Sequence, residues 1–208
     1  MEDLFLLNGK NVVVTGGSRG IGKAIALRFA EMGANIAILY AGNDEAANNV
    51  RNQLTEKGIK AHAYRCNVGK YEETEATVQK IIEEFGGIDV LINNAGITKD
   101  HLILKMKETD FDDVINVNLK GSFNMIKSVY SHMAKRKSGR IINISSVWGC
   151  CGASCEVAYS ATKGGINAFT KAMAKELGPS HIRVNAISCG VIDTEMNACF
   201  SEEEWQAL

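Results

Sequence analysis

The sequence has 208 residues, a formal charge of −1, 46% hydrophobic residues and six cysteines. A chain of this length can bury most of its apolar surface in one domain without disulfides or metals. The near-balance of 23 basic and 24 acidic residues excludes the concentrated basic face of a nucleic-acid binder and a polybasic membrane anchor.

The first residues, MEDLFLLNGK, carry acids where a secretory leader carries bases, and no apolar run nears the roughly 20 residues of a bilayer span. The expected location is cytoplasmic, without membrane contact and with the cysteines as free thiols. Cys150, Cys151 and Cys155 cluster. No second pair stands at a zinc-binding interval and no histidine lies at ligand spacing, so no metal is expected. His62, His101, His132 and His181 have no partner at useful spacing and are read as non-catalytic.

In chain order, the first expected strand is Val12–Thr15, which runs into TGGSRGIGKAIA. A helix is expected over Gly20–Met32, because Ile21, Ile25, Phe29 and Met32 keep helical spacing. Gly16, Gly20 and Gly22 lie between the two. Glycines there permit a tight turn and let the backbone approach a phosphate. The helix N-terminus beyond them presents free N–H groups and a positive dipole end. The spacing is G-x-x-x-G-x-G rather than the general G-x-G-x-x-G. Its place in a β-α-β unit makes this a nucleotide loop, with Gly16, Ser18, Arg19, Gly20, Ile21 and Gly22 as expected contacts.

The second strand, Asn35–Tyr40, ends in ILYAGND. An acid at its end would bind the 2′-hydroxyl of NAD. Tyr40 and Ala41 stand there instead, and Arg19 could face a 2′-phosphate. Both features favour NADP. Asp44 comes too late for the ribose and is read as the cap of the helix Asp44–Lys57. Strands at Ala61–Cys66, Val90–Asn93, Arg140–Ser145 and Arg183–Ser188 then alternate with helices at Tyr71–Phe85, Phe111–Arg136 and Tyr159–Leu177. Runs such as NVVVT and DVLIN are continuously apolar, as strands covered on both faces must be. The expected fold is α/β: a doubly wound, Rossmann-like parallel sheet in three layers α/β/α, with right-handed crossovers. The whole of residues 1–208 is expected to be one dinucleotide-binding domain with an integrated substrate site.

In CEVAYSATKGG, Tyr159 and Lys163 are four residues apart and share one helix face. A free tyrosine, with a pKa near 10, is a poor acid catalyst at neutral pH. A neighbouring ammonium favours the phenolate and is expected to lower that pKa.

With these residues assembled, the chain resembles the short-chain dehydrogenase/reductase family over nearly its whole length. The resemblance rests on TGGSRGIG, NNAGI at Asn93–Ile97, NVNLKG at Asn116–Gly121, SSVWG at Ser145–Gly149, and Tyr159 with Lys163. NNAGITKDHLILKMKETDFDDVINVNLKG and KSGRIINISS are similar to the bacterial 3-oxoacyl-[acyl-carrier-protein] reductases of fatty-acid synthesis. The resemblance implies a catalytic tetrad of Asn118, Ser146, Tyr159 and Lys163. Ser146 is preferred to Ser145 because it directly precedes VWG and lies thirteen residues before Tyr159. It further implies that Asn94, Ala95 and Gly96 flank the cofactor and that Asn67 and Val68 line the adenine pocket. Gly190, Ile192 and Thr194 fall on the nicotinamide side, and Tyr159 and Lys163 also touch the cofactor. Asn118 is expected to hold a water that links Lys163 to solvent.

An NADPH-dependent reduction of a 3-oxoacyl thioester on acyl carrier protein is the implied activity. Lys135, Arg136 and Lys137 are candidates for docking that acidic carrier. The alternatives are reduction of another ketone, such as a modified translation factor, a sugar or a steroid, and a non-catalytic NADP-binding role. Cys189 stands where the family usually has proline, and WGCCGASCEV is unusual in the substrate-side loop. Family members continue with a further helix and a final strand absent from this chain. The expectation is a homo-oligomer, tetrameric when those elements are present and at most dimeric without them.

Overall fold

The structure, a computed structural model, describes residues 7–197 and Glu203. Six strands form one sheet: β1 (Asn11–Thr15), β2 (Asn35–Tyr40), β3 (Ala61–Arg65), β4 (Val90–Asn93), β5 (Gly139–Ser146) and β6 (Ile182–Cys189). Their order is β3-β2-β1-β4-β5-β6, and every pairing is parallel. The chain therefore winds outward from β1 in one direction and returns to wind outward through β4 in the other. Helices cover both faces, so the expected doubly wound sheet is what forms.

Alternate strand residues feed two cores. Val13, Leu39, Leu91 and Ile141 point to the face covered by α3 (Tyr71–Phe85), α5 (Gly121–Arg136) and α7 (Val157–Leu177). Val12, Val14, Ile36, Ile38 and Ile92 point to the face covered by α1 (Gly20–Glu31) and α2 (Asp44–Glu56). Each of these strand residues is almost completely buried. At about 25 cal/mol per Å² of apolar area, each such side chain contributes roughly 1.5–3 kcal/mol relative to exposure.

Two expectations are corrected. Asp44 is not the cap of α2. Asn43 is, its side-chain oxygen accepting from Ala46 N–H at 2.9 Å. Asp44 is the first helical residue, where its charge favours the dipole, and it lies 3.8 Å from Arg65. The helix expected over Phe111–Arg136 is three segments. α4 (Glu108–Val114) passes into a π-helical turn, Ile115–Lys120, and only then into α5. A π turn carries an extra residue and often marks a functional site. No proline announces the break, and the apolar spacing continues through it. After β5 a short helix, α6 (Trp148–Cys151), leads to α7.

His62 is not without a partner. Its Nδ1 is 2.7 Å from the Glu84 carboxylate, to which the Tyr64 hydroxyl also donates at 2.6 Å. This group joins β3 to the end of α3. Among the described residues no helix is long and apolar enough to cross a membrane.

Candidate active site

The C-terminal ends of the strands open into a cavity of about 500 Å³. Parallel winding puts it there: where strand order reverses between β1 and β4, the connections leave to opposite faces and a crevice remains. One wall is the turn from β1 into α1. Gly22 on α1 sits so close to the turn that a Cβ there would lie 2.2 Å from the Gly16 carbonyl oxygen. Gly16 itself has a left-handed φ of 64°. Arg19 precedes the helix and makes no side-chain cap. The first N–H groups of α1 are thus left to face the cavity, as an anionic phosphate requires. The turn fits the pyrophosphate of a dinucleotide.

The turn is locked to the segment after β4 through one hydroxyl. Thr15 Oγ1 accepts from Asn94 N–H and Ala95 N–H, both at 2.9 Å. Asn94 Nδ2 donates back to the Thr15 carbonyl at 3.0 Å. Past the end of β3, Asn124 of α5 donates to the Val68 carbonyl at 2.8 Å and fixes the loop that begins there.

The reactive groups come from β5 and α7. Gly149 lets α6 press against α7 at Lys163: a Cβ there would lie 2.5 Å from the Lys163 carbonyl carbon. Lys163 is only 5% exposed. Its ammonium donates to the Ile144 carbonyl at 2.7 Å and lies 5.4 Å from the centre of the Tyr159 ring. Burial pushes its pKa down to about 8. Tyr159 does not show the lowering expected from its neighbour. Burial pushes its pKa up, a hydrogen bond from Ser146 opposes this, and the charges of Glu156 and Asp100 add to the rise. The two neighbouring serines divide their roles. Ser145 Oγ donates to the Lys163 carbonyl at 3.2 Å, whereas Ser146 Oγ lies with Tyr159 and accepts from Trp148 N–H.

The cavity is lined by Gly16, Ser18, Arg19, Gly20, Ile21, Tyr40, Ala41, Asn67 and Val68, by Asn94, Ala95 and Gly96, by Ser146, Tyr159 and Lys163, and by Gly190, Ile192 and Thr194. Two expected site residues stand apart. Gly22 supports the turn from behind. Asn118 is 2% exposed and does not line the cavity. Its Oδ1 accepts from Ile97 N–H and its Nδ2 donates to the Ile97 carbonyl and to Thr162 Oγ1. Every polar atom of its side chain is engaged with protein, so it acts on the site through Ile97. Ile97, Asp100, Trp148, Glu156 and Cys189 also line the cavity and were not singled out as contacts from sequence. They sit in loops and turns without periodicity, and only Cys189 and the unusual WGCCGASCEV run gave a signal.

The basic cluster at the end of α5 does not border this cavity. Arg136 donates to Asp89 at 2.9 Å and to the Ile88 carbonyl at 3.3 Å, just before β4 begins. The cavity lies past the other end of β4.

Residues 10–205 match the family model described as short chain dehydrogenase. The 3-oxoacyl-[acyl-carrier-protein] reductase FabG of Staphylococcus aureus strain Mu50 is 45% identical over 194 residues, covering 93% of this chain and 79% of that protein. The protein of the same name from Chlamydia muridarum is 44% identical over 204 residues, 96% of this chain and 82% of its own length. Among solved structures, a dehydrogenase/reductase from Sinorhizobium meliloti 1021 superposes with a TM-score of 0.92 at 35% identity, over 99% of this chain and 81% of that one. NAD+-bound xylitol dehydrogenase gives 0.85 at 40% identity, over 88% and 70%.

Proposed function

The chain belongs to the short-chain dehydrogenase family, and from that premise we propose that it is an NADPH-dependent ketoreductase acting on 3-oxoacyl thioesters of acyl carrier protein. The observation that carries the reading is the meeting of Ser146, Tyr159 and Lys163 at one end of a cavity whose other end is a phosphate-binding turn. The relatives named above, at 44–45% identity over nearly the whole chain, supply the substrate class.

When bound, the dinucleotide supplies a hydride to the ketone carbon, and the cofactor carries that chemistry. The chain supplies the rest. Ser146 Oγ donates to the carbonyl oxygen and polarises it. Tyr159 gives its hydroxyl proton to the same oxygen as negative charge develops there. A raised pKa keeps this phenol protonated at neutral pH, as a proton donor must be. Lys163, held against β5, faces the ring of Tyr159 and stabilises the phenolate left after transfer. Asn118 is a positioning residue in this scheme, fixing the backbone at Ile97.

The preference for NADPH is supported by Arg19 beside the turn and by Tyr40 and Ala41 at the end of β2. Arg65 Nε adds a positive group 3.3 Å from the Ala41 carbonyl. We read the chain as a single domain with cofactor and substrate ends in one cavity. Homo-oligomerisation is supported by Phe123 and Tyr130, seven residues apart on α5 and 46% and 40% exposed. The test is oxidation of NADPH and of NADH with an acetoacetyl thioester. Turnover with NADPH preferred is expected; no reduction of the thioester with either cofactor overturns the assignment.

A further inference from the structure

Part of the core is held by directional bonds where apolar packing would serve stability as well. On the face of the sheet that α5 and α7 cover, Leu91 of β4 and Ile141 of β5 are apolar. One alternation further toward the cavity, the same face carries Asn93 and Asn143, paired in register, and then Ser145. All three are buried. Asn93 Nδ2 donates to Asn143 Oδ1, and Asn143 Nδ2 donates to Thr170 Oγ1 of α7, both at 2.9 Å. Ser145 Oγ donates to the Lys163 carbonyl at 3.2 Å. Strand and helix are therefore tied by side chains at two heights, since Lys163 and Thr170 lie about two turns apart on one face of α7.

Stability does not account for this layer. Asn93 Oδ1 is buried and has no hydrogen-bond partner among the described residues, and an unpaired buried acceptor is a net cost. Apolar groups of the same shape would avoid that cost. What they would not supply is direction. Apolar attraction tolerates small slides, whereas a buried polar bond between two packed elements favours one arrangement. The arrangement matters at the cavity end of the same contact. There the Lys163 ammonium meets the Ile144 carbonyl at 2.7 Å, and Ser146 lies with Tyr159. Ile144 and Ser146 flank Ser145 on β5. A misplacement of reacting groups by about 1 Å costs on the order of a hundredfold in rate.

We infer that Asn143, Ser145 and Thr170 are positioning residues, which fix α7 along β5 so that Lys163 and Tyr159 reach their partners on that strand. This rests on Lys163 and Tyr159 serving ketone reduction as assigned above. Asn143 and Thr170 do not line the cavity and act only through α7. They set the far end of the contact, and Ser145 sets the end beside the reactive groups.

The experiment measures single-turnover NADPH oxidation with an acetoacetyl thioester, KM for that thioester, and thermal unfolding. Thr170→Val and Ser145→Ala remove one tie each, and the double variant removes both. Thr170→Ser keeps the hydroxyl. Ile166→Val deletes one buried methylene from the same helix and leaves both ties in place. Thr170→Val and Ser145→Ala should each slow the turnover about fivefold, with KM within about twofold of the wild type. The double variant should lose at least the product of the two, about 25-fold, because each tie backs up the other. Thr170→Ser should run near the wild-type rate. Ile166→Val should lower the unfolding temperature without slowing the reaction. An unslowed double variant, where the wild type reduces the thioester, overturns the inference and leaves the ketoreductase reading standing. Equal slowing by Ile166→Val also overturns it, as a general loosening of α7. If the wild type reduces no thioester, both fall.

Discussion

The carboxamide of Asn118 grips both backbone groups of Ile97. Oδ1 accepts from the Ile97 N–H at 2.8 Å, and Nδ2 donates to the Ile97 carbonyl at 3.0 Å. Ile97 forms part of the cavity wall just past Asn94, Ala95 and Gly96. Asn118→Ala strands both groups in a partly buried place, at about 1–3 kcal/mol of stability. It should also lower kcat/KM for the ketone by tenfold or more. Thermal unfolding and steady-state kinetics, run on the same preparations, check the two effects. Unchanged kinetics would show that the Ile97 segment needs no clamp.

Tyr159→Phe keeps the ring over which Lys163 sits and removes only the transferable proton. Ketone reduction should be lost, while NADPH affinity stays within a few-fold. Stopped-flow reduction and cofactor titration measure these separately. Near-normal turnover would remove Tyr159 from the role of acid.

Lys163 makes a stability prediction with a defined sign. Its folded pKa of about 8 lies below the ordinary 10.5. Below about pH 8 both folded and unfolded chains carry the proton, and the cost of burying the charge is felt in full. Between about 8 and 10 the unfolded chain holds the proton and the folded one has released it, so stability rises with pH. Lys163→Met removes the buried charge, and at pH 7 it should stabilise the protein by about 2 kcal/mol while abolishing activity. That advantage should shrink from pH 8 to 9.5, before tyrosine ionisation in the unfolded chain intervenes. Denaturant titrations at pH 7 and 9.5 provide the test. A destabilised variant at pH 7 would mean that the bond to the Ile144 carbonyl outweighs the burial of charge.

Arg19→Gln should cut the NADPH-to-NADH ratio of specificity constants by about tenfold, since a charge-assisted contact to phosphate is replaced by a neutral one. A ratio unchanged in the variant would move the discrimination elsewhere, with Arg65 as the next cation to test.

Much of the fold could be read from periodicity. Continuous apolar strands and amphipathic helices set six strands and their helices within a few residues of where they lie, because burial on both faces demands that pattern. The tight turn after β1 was equally legible, since only glycine permits the approach of Gly22 to Gly16. What escaped was set by tertiary contact. Asn43 and Asp44 are both acceptable caps in sequence, and only the backbone geometry chooses between them. Asn118 stood out by motif, yet its grip on Ile97 depends on a π turn that has no local signature. Asp100 and Glu156 lie far apart in sequence yet line one cavity, and a bond from His101 N–H to the Cys155 carbonyl ties their loops together.

The π turn at Ile115–Lys120 holds one residue more than a regular helix needs at that place. Because the wide turn absorbs that residue, α4 and α5 keep close to the phase of one continuous helix. Deleting a residue from the turn would let them fuse into a regular helix with both flanks still seated, buried Val114 included. What would be lost is the widened backbone that aims Asn118 at Ile97. Such a deletion should cost the fold little and the activity much, the reverse of a substitution in the buried core.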